Sequence, residues 1–399
     1  MANSYLTRTP SSAGNKQKFT ISAWVKKASV GSAAHTIMCA SNGGNRDAIM
    51  FDNNKLAIFK YDSGYTYKLR TTKLFRDSSA FYHIVVAFDT TQATASDRVK
   101  IYVNGVQETS LESGWQTYPS QNFNTLFNDA FAQIIGKDWD SSNYFDGYMS
   151  HVALVDGAAL TPTSFGQTDS TSGIWKFKSP TGVTWGTNGF HLKFENSGAL
   201  GTDSSGNSNT FTVNGNLKQA VDTPSNNYAT LNPLNNHNSI FSLSKGNNTA
   251  TCTSSWNTTT SSLAMTKGKW YWEVKFTQKG QLAAGVGQEV NLNTYRNSTT
   301  NTRASDYAHA YELLSNGGAY SLTGNGGSGG TSITSEIAEG SILMYAFNAT
   351  LGALWIGKDG TWLKSATQSE IEAGTVSNAV YSSMSGANSE TWFCCVSPE

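Results

Sequence analysis

The chain has 399 residues, more than one ordinary hydrophobic core accommodates, so we expect two or three domains. Its 28 Lys and Arg residues balance 28 Asp and Glu residues, and this neutrality excludes a strong electrostatic attraction to nucleic acid or to an anionic membrane. Charged residues make up 14% and aromatic residues 12%, a composition typical of an all-β protein with aromatic cores and polar turns.

The N-terminal stretch MANSYLTRTPSSAGNKQK contains no apolar run, so we expect no signal peptide. No segment has the uncharged apolar length that crosses a bilayer. The cysteines are Cys39, Cys252, Cys394 and Cys395, and the adjacency of the last two disfavours a disulfide framework. We therefore expect free thiols and synthesis in a reducing cytoplasm.

Short strands separated by turn signals dominate the first part of the chain. In DRVKIYVNGVQ, residues 97–107, three apolar residues alternate with polar ones, and Asn104-Gly105 is typical of a type I′ hairpin turn. The other candidate strands are KFTISAWVKK, HTIMCA, AIMFD, KLAIFKY, YTYKLR, FYHIVVAFD and the strands within FAQIIGKDWDSSNYFDGYMSHVALVDGAAL. Their regular spacing predicts a β-sandwich or barrel.

From about residue 166 to 226 the alternation weakens and turn residues accumulate, which predicts a connector with a few short strands. Strong alternation returns in KWYWEVKF. There we expect Trp270 and Trp272 to lie in the core and Tyr271 to point outward or toward a second sheet. A later stretch, SILMYAFNATLGALWIGKDGTWLK, contains another hairpin turn at Lys358-Asp359-Gly360.

Two sets of segments resemble known families. FTISAWVKK, FYHIVVAFD, RVKIYVNG and FDGYMSHVALVDGAALTP follow the order of a laminin G-like, concanavalin A-like jelly roll, which residues 15–166 resemble. GKWYWEVKF, AGVGQ and ILMYAFNATLGALWIGKDGTW resemble the SPRY domain, another concanavalin A-like sandwich, over about 227–396. The pair, joined by LGTDSSGNSNTFT and NNYATLNPL, is similar to virion proteins of tailed bacteriophages, notably marine ones.

The predicted fold class is therefore all-β, with two concanavalin A-like antiparallel sandwiches joined by a partly β connector. The predicted domains are a laminin G-like jelly roll over 1–166, a turn-rich connector over 167–226 and a SPRY-like sandwich over 227–399.

Catalytic patterns are weak throughout the sequence. Retaining glycoside hydrolysis needs two carboxyl groups about 5 Å apart, and among the glutamates only Glu370 and Glu372 stand two residues apart, in a turn-like stretch. The histidines and cysteines lack zinc-site spacing, there is no Walker-type loop, and no aromatic-and-basic stripe for single-stranded nucleic acid is visible. We expect no enzyme, no cofactor and no nucleic-acid partner.

One polar loop is a candidate ligand site. GKDWDSSNYFDG, residues 136–147, combines oxygen ligands that suit calcium with rings that stack on sugars. Its candidate ligand-binding residues are Asp138, Trp139, Asp140, Asn143, Tyr144 and Asp146. The competing interpretation is a turn whose Asp and Asn side chains satisfy their own backbone, with Trp139 covering the core.

A second candidate is the long polar segment 288–306 in the SPRY-like part. Loops between strands bind partners in that family, and a loop of this length is either functional or disordered. The candidate partner-binding residues are Tyr295, Arg296 and Arg303.

The resemblance implies a non-enzymatic structural protein of a bacteriophage virion, in a tail fibre, an appendage or a head decoration. Such a protein is assembled in the host cytoplasm, contacts other virion proteins and host-surface polysaccharide, and does not insert into membranes. Exposed edge strands would also permit a homo-oligomer. The alternatives are a dedicated glycan-binding lectin and a glycan hydrolase.

Overall fold

The computed structural model describes residues 3–235, 241–252, 256, 258–278, 282–288, 304, 310–316, 319–324, 332–333, 337–384 and 390–398. Contacts between Cα atoms divide the chain into two compact units, Met1–Tyr228 and Ala229–Glu399. Within the described residues the regular structure is almost entirely antiparallel β, which confirms the predicted all-β class.

The first unit contains sixteen strands. They are β1 (Tyr5–Arg8), β2 (Lys18–Lys27), β3 (His35–Asn42), β4 (Asn45–Asp52), β5 (Lys55–Tyr61), β6 (Tyr65–Thr71), β7 (Tyr82–Asp89), β8 (Val99–Val103), β9 (Val106–Gln107), β10 (Leu111–Thr117), β11 (Ala132–Ile135), β12 (Gly147–Asp156), β13 (Gly166–Thr168), β14 (Trp175–Phe177), β15 (Phe190–Leu192) and β16 (Thr212–Asn214).

These strands form an eight-stranded sheet, β10-β6-β5-β4-β3-β11-β1-β16, and a six-stranded sheet, β15-β12-β2-β7-β8-β9. β13 and β14 pair only with each other. The apolar residues of each strand's inner face meet in one core between the two sheets, as the alternation predicts. This core includes Phe19, Ile21 and Val25 from β2 and Val99 and Ile101 from β8.

The segment 167–226 is built into this first unit. β15 pairs with β12 in the six-stranded sheet, and β16 pairs with β1 in the eight-stranded sheet. The ammonium of Lys26, whose side chain is 1% exposed, lies 2.8 Å from a carboxylate oxygen of Asp222. It also donates to Asn227 Oδ1 and to the Tyr228 carbonyl. A buried ion pair of this kind fixes the end of the segment against β2.

The described part of the second unit adds twelve strands and one short α-helix. They are β17 (Phe241–Ser244), β18 (Thr249–Cys252), β19 (Thr259–Thr260), β20 (Lys269–Lys275), β21 (Leu282–Gln288), β22 (Ala310–Asn316), β23 (Ala319–Gly324), β24 (Ser332–Ile333), β25 (Ile342–Asn348), β26 (Ala353–Lys358), β27 (Thr361–Trp362), β28 (Trp392–Pro398) and α1 (Gln368–Ala373). Single turns of 3₁₀-helix in the two units are Ala95–Asp97, Pro162–Ser164, Pro233–Asn235, Leu363–Ser365 and Val376–Asn378.

The second unit is also a two-sheet sandwich. A six-stranded sheet, β19-β28-β21-β22-β23-β24, packs on a four-stranded sheet, β20-β25-β26-β27, through a shared core. Trp272 packs against this core as predicted. The prediction for Trp270 is wrong: its side chain is 38% exposed, because it lies near the start of β20 and its Nε1 donates to the Lys267 carbonyl.

Both predicted hairpin turns are present. Asn104 and Gly105 have φ of 48° and 82°, and Asp359 and Gly360 have φ of 48° and 85°, so both central residues of each turn are left-handed as a type I′ turn requires. The four cysteines are free thiols, as expected. No described helix is both long and apolar enough to cross a membrane.

Candidate functional site

The two outer faces of the first unit, each turned away from the other sheet, differ in what covers them. Aromatic residues from the segment after β12 cover the six-stranded sheet; they are Phe165, Trp175, Phe177 and Trp185. Trp24 of β2 stacks on His83 of β7 with ring centroids 4.4 Å apart, and Trp175 Nε1 donates to His83 Nδ1 over 3.0 Å. This face is therefore an internal layer and not a binding surface.

Three histidines lie in that layer in neutral form. Burial lowers the pKa of His83 to about 3, of His151 to about 3 and of His191 to about 4. His151 Nδ1 and His191 Nε2 are 3.1 Å apart, a contact that needs one nitrogen to accept. The layer is thus built for uncharged imidazoles.

The outer face of the eight-stranded sheet, by contrast, presents a cluster of aromatic rings. Phe59 and Tyr61 on β5 point away from the core because Leu56 and Ile58, on the alternate positions of the strand, point into it. Tyr65, at the start of β6, lies 5.3 Å from Tyr61 and 4.9 Å from Trp115 of β10 between ring centroids. Tyr65 is 46% exposed and Trp115 is half-buried.

Three cations lie among these rings. The Arg46 guanidinium carbon is 5.1 Å from the Tyr61 ring centroid, and the Arg70 guanidinium carbon is 4.2 Å from that of Trp115. The Lys68 ammonium is 5.4 Å from the Trp115 centroid. These are cation–π distances. We call the set of Phe59, Tyr61, Tyr65 and Trp115 with Arg46, Lys68 and Arg70 the outer aromatic face.

Carboxylates hold two of these cations, Arg70 and Arg46, in place. Arg70 Nε donates to Glu112 Oε2 over 2.7 Å and its Nη1 donates to Asp52 Oδ2. Although burial lowers the pKa of Arg70, these hydrogen bonds outweigh burial and the pKa is raised. Lys55 also donates to Glu112, so positive and negative groups nearly balance. The face therefore offers rings together with fixed donors and acceptors, without a strong net charge.

The predicted loop 136–147 adjoins this face through one ion pair. The Asp138 side chain is 1% exposed, and its Oδ1 lies 3.2 Å from Arg46 Nε, within ion-pair distance but outside hydrogen-bond geometry. Asp138 also accepts from the Trp139 N–H over 2.8 Å and from Asn143 Nδ2 over 3.4 Å. Asp138 therefore fixes the position of Arg46 through an ion pair. The carboxylate oxygens of Asp138 already have partners within the protein.

The other predicted loop residues have separate local contacts. Asp140 accepts from the Ser142 N–H, and the Asp146 carbonyl accepts from Ala28. The Tyr144 ring lies 6.2 Å from that of Tyr5. Trp139 is 39% exposed and lies against the β3–β4 hairpin, where a side chain added at Gly44 would begin 3.8 Å from its ring.

These contacts are those of a hydrogen-bonded turn. No group of three His, Cys, Asp or Glu side chains suited to a metal ion occurs among the described residues. Whether the loop binds calcium or a sugar stays a prediction. The second predicted site, Tyr295, Arg296 and Arg303, lies outside the described residues.

In the candidate carboxylate pair Glu370 and Glu372, Glu370 has a structural role. Glu370 forms a capping box with Thr367 at the start of α1, and its Oε1 accepts from Asn378 over 2.9 Å. Hydrogen bonds from Thr367 and Asn378 lower the pKa of Glu370. A general acid needs a raised pKa, so this environment suits helix capping and not proton donation.

The outer aromatic face is the feature that the sequence analysis missed. Its rings and cations come from strands that are neighbours only after folding, so no linear stripe exists. A partial signal was present in KLAIFKY, where Ala57, Phe59 and Tyr61 alternate with the apolar Leu56 and Ile58. Only one face of such a strand packs into the core, so large apolar groups on its other face indicate a second contact or a binding surface.

Comparison with known proteins agrees with the fold of the first unit. A family model described as the concanavalin A-like lectin/glucanases superfamily, of the laminin G type, matches residues 1–164. Residues 1–164 are thus similar to a concanavalin A-like, laminin G-like domain. No curated protein matches the chain.

Several solved structures are similar at low identity. Domain 4 of AbnA, a GH43 extracellular arabinanase from Geobacillus stearothermophilus, in complex with arabinotriose, is 20% identical over 37% of this chain, with a TM-score of 0.29. The chain spans 65% of that domain, slightly less than two thirds. The SPRY domain of human HERC1 is 14% identical over 36% of this chain and 76% of its own, with a TM-score of 0.25. Domains LG4-5 of the mouse laminin alpha1 chain are 10% identical over 99% of this chain and 78% of their own, with a TM-score of 0.30.

Proposed function

We propose that this protein is a non-enzymatic adhesion protein that binds glycans on the outer aromatic face of its first unit. The supporting observation is a sheet face on which the exposed Tyr65 and the half-buried Tyr61 and Trp115 lie among fixed guanidinium and carboxylate groups. Aromatic faces stack on the apolar faces of sugar rings, and charged groups held in place exchange strong hydrogen bonds with sugar hydroxyls. The opposite outer face is closed by its own aromatic layer.

The charge of the face favours a glycan over single-stranded nucleic acid. Nucleic-acid sites combine rings with an excess of cations, since affinity comes from neutralising phosphates. Here Arg46 is opposed by Asp138, and Arg70 by Asp52 and Glu112. A neutral or weakly anionic polysaccharide fits this balance better than a phosphate backbone.

The test is a glycan array of bacterial surface polysaccharides, followed by calorimetry with the glycans that bind. We expect Trp115→Ala to lower affinity about tenfold, because a lost stacking ring and its cation partner together contribute about 1.4 kcal/mol. Trp115→Phe keeps a ring and should retain most of the affinity. Val376→Ala, at an exposed residue of the second unit, is the control that leaves the first unit untouched.

Unchanged affinity in both Trp115→Ala and Tyr65→Ala would contradict the assignment of the face. Binding of oligo-dT with no binding of any glycan would contradict the ligand class. Cleavage of a polysaccharide that is lost in Glu370→Ala or Glu372→Ala would instead support the hydrolase alternative.

We further propose, from the resemblance of its sequence, that the chain is a bacteriophage virion protein with a laminin G-like first unit and a SPRY-like second unit. Its partners would then be other virion proteins and host-surface polysaccharide. Electron microscopy of purified particles tests this by locating the chain on the head, tail or fibre. Glycan binding by a chain that is absent from particles would support the dedicated lectin.

A further inference from the structure

A second aromatic pocket lies in the second unit, on the outer face of the four-stranded sheet. It is a cavity of about 510 Å³ between the edge strand β20, the strands β25 to β27 and the helix α1. That volume lies within the range of about 300–1,000 Å³ typical of small-ligand sites. The pocket contains no residue of the first unit.

Strand register builds the pocket. Tyr271, Ala346 and Trp355 are direct neighbours across β20, β25 and β26, so a small residue separates two rings. Trp362 of β27 pairs with Gly357, where a Cβ atom would lie 2.8 Å from Met344 and 3.0 Å from the Trp362 ring. Glycine is therefore needed for Trp362 to take its place beside the cavity.

The rings lining the pocket differ in exposure. Tyr271 is 56% exposed, and its ring centroid lies 6.4 Å from that of Trp362 in an edge-to-face arrangement. Trp355 is 1% exposed, and its Nε1 has no hydrogen-bond partner. The indole N–H of Trp355 is itself inaccessible, so Trp355 contributes apolar ring surface to the wall of the pocket.

Polar groups stand at one side of the same cavity. Gln368 Nε2 on α1 donates to Glu372 Oε1 over 2.8 Å. The Lys269 ammonium, on β20, donates to the Glu372 carbonyl. The pocket thus combines ring faces with an amide, a carboxylate and an ammonium.

These groups discriminate among ligands. A quaternary ammonium suits aromatic cages, but it offers no hydrogen-bonding group to Gln368, Glu372 or Lys269, and it would meet the charge of Lys269. An apolar side chain would likewise give these polar groups no partner. A hydroxylated ring supplies apolar C–H faces for Tyr271 and Trp362 and hydroxyl groups for Gln368, Glu372 and Lys269.

We propose that this pocket is a second, independent sugar-binding site that takes one neutral sugar unit of a glycan. It goes beyond the proposed function, because it lies in the other unit and uses none of the residues of the outer aromatic face. A chain with two such sites binds one long polysaccharide more tightly than either site alone.

The test uses the full chain labelled with ¹⁵N-tryptophan, titrated with the methyl glycosides of glucose, galactose, rhamnose and N-acetylglucosamine. The indole N–H resonances of Trp355 and Trp362, assigned from Trp355→Phe and Trp362→Phe, should shift with at least one of these sugars as a sugar ring packs against the walls of the pocket. Tyr271→Ala should weaken that sugar about tenfold, whereas Tyr271→Phe, which keeps the ring, should bind as the wild type does. Trp115→Ala, in the first unit, should leave the Trp355 shift unchanged.

Two results would overturn the proposal. One is the absence of any shift at Trp355 or Trp362 with all four glycosides at millimolar concentrations. The other is a shift with choline that none of the sugars produces, which would identify a quaternary-ammonium site. If the outer aromatic face does not bind glycans, the result is a different one: Trp115→Ala leaves the affinity for polysaccharide unchanged.

Discussion

At the scale of single residues, Asp138 links the predicted loop to the candidate site. Asp138 is a predicted calcium ligand, yet its buried carboxylate lies against Arg46 and two donors of its own loop. The sequence could indicate a polar loop of this kind. It could not indicate Arg46 as the partner, because the two residues are brought together only by the pairing of β3 with β4 and β11.

Asp138→Asn should destabilise the first unit by about 1–3 kcal/mol, since it removes a buried charge and weakens the hydrogen bonds made to it. Urea denaturation with hydrogen exchange, which resolves the two units, measures this change. Asp140→Asn is the matched control and should stay within about 0.5 kcal/mol of the wild type, because Asp140 is exposed. If calcium stabilises the wild type and Asp138→Asn abolishes that effect, the loop is a calcium site and the turn interpretation is wrong.

At the scale of elements, alternation along single strands predicted which residues enter the cores. Val99, Ile101 and Val103 are buried as expected, and Asn104-Gly105 forms the expected turn. The sequence of a single strand does not show which other strands lie beside it in the sheet. The outer aromatic face depends on the order β10-β6-β5-β4, in which β10 and β6 are separated by three other strands along the chain.

The histidine layer over the six-stranded sheet should make the first unit acid-sensitive. His83, His151 and His191 have pKa values of about 3, 3 and 4, below the unfolded value of about 6.5. The unfolded chain therefore binds more protons below pH 6.5. The stability contributed by neutral histidines is complete above pH 6.5 and is lost as the pH falls toward 3, by about 1.4 kcal/mol per pH unit for each.

Asp47 acts in the opposite direction. Burial raises its pKa to about 6, so its contribution increases as the pH falls from about 6 toward 4. Hydrogen exchange in urea at pH 7, 6 and 5 should show a net loss of stability with acid. His83→Gln should make the dependence shallower and Asp47→Asn should make it steeper. A wild-type stability that does not change over this range would contradict the neutral layer.

At the scale of the whole molecule, the two units have separate cores, and the segment 167–228 belongs to the first. The sequence indicated two sandwiches because each begins a new set of alternating strands. It could not locate the end of the first unit, because the short strands β15 and β16 pair with strands more than thirty residues earlier in the chain.

A chain of residues 1–228 should fold as a monomer, whereas residues 1–166 should aggregate. The shorter chain lacks Asp222, so the nearly inaccessible Lys26 loses its ion-pair partner, and it lacks the aromatic layer over Trp24 and His83. The apolar surface on β2 and β7 that this deletion uncovers favours aggregation. Size-exclusion chromatography and near-UV circular dichroism of both chains provide the measurement. A folded, soluble 1–166 would show that the segment is an accessory.

The two sides of each strand in the outer aromatic face have different roles. On β5, Leu56 and Ile58 maintain the sandwich, while on the outer side Phe59 is buried against Tyr65 and Trp115 and Tyr61 is half-buried. Substitutions of Tyr65, which is the most exposed of these rings, therefore leave the interior contacts intact. A lineage could exchange this ring, and so follow a host that alters its surface sugars, without risking the architecture that displays it.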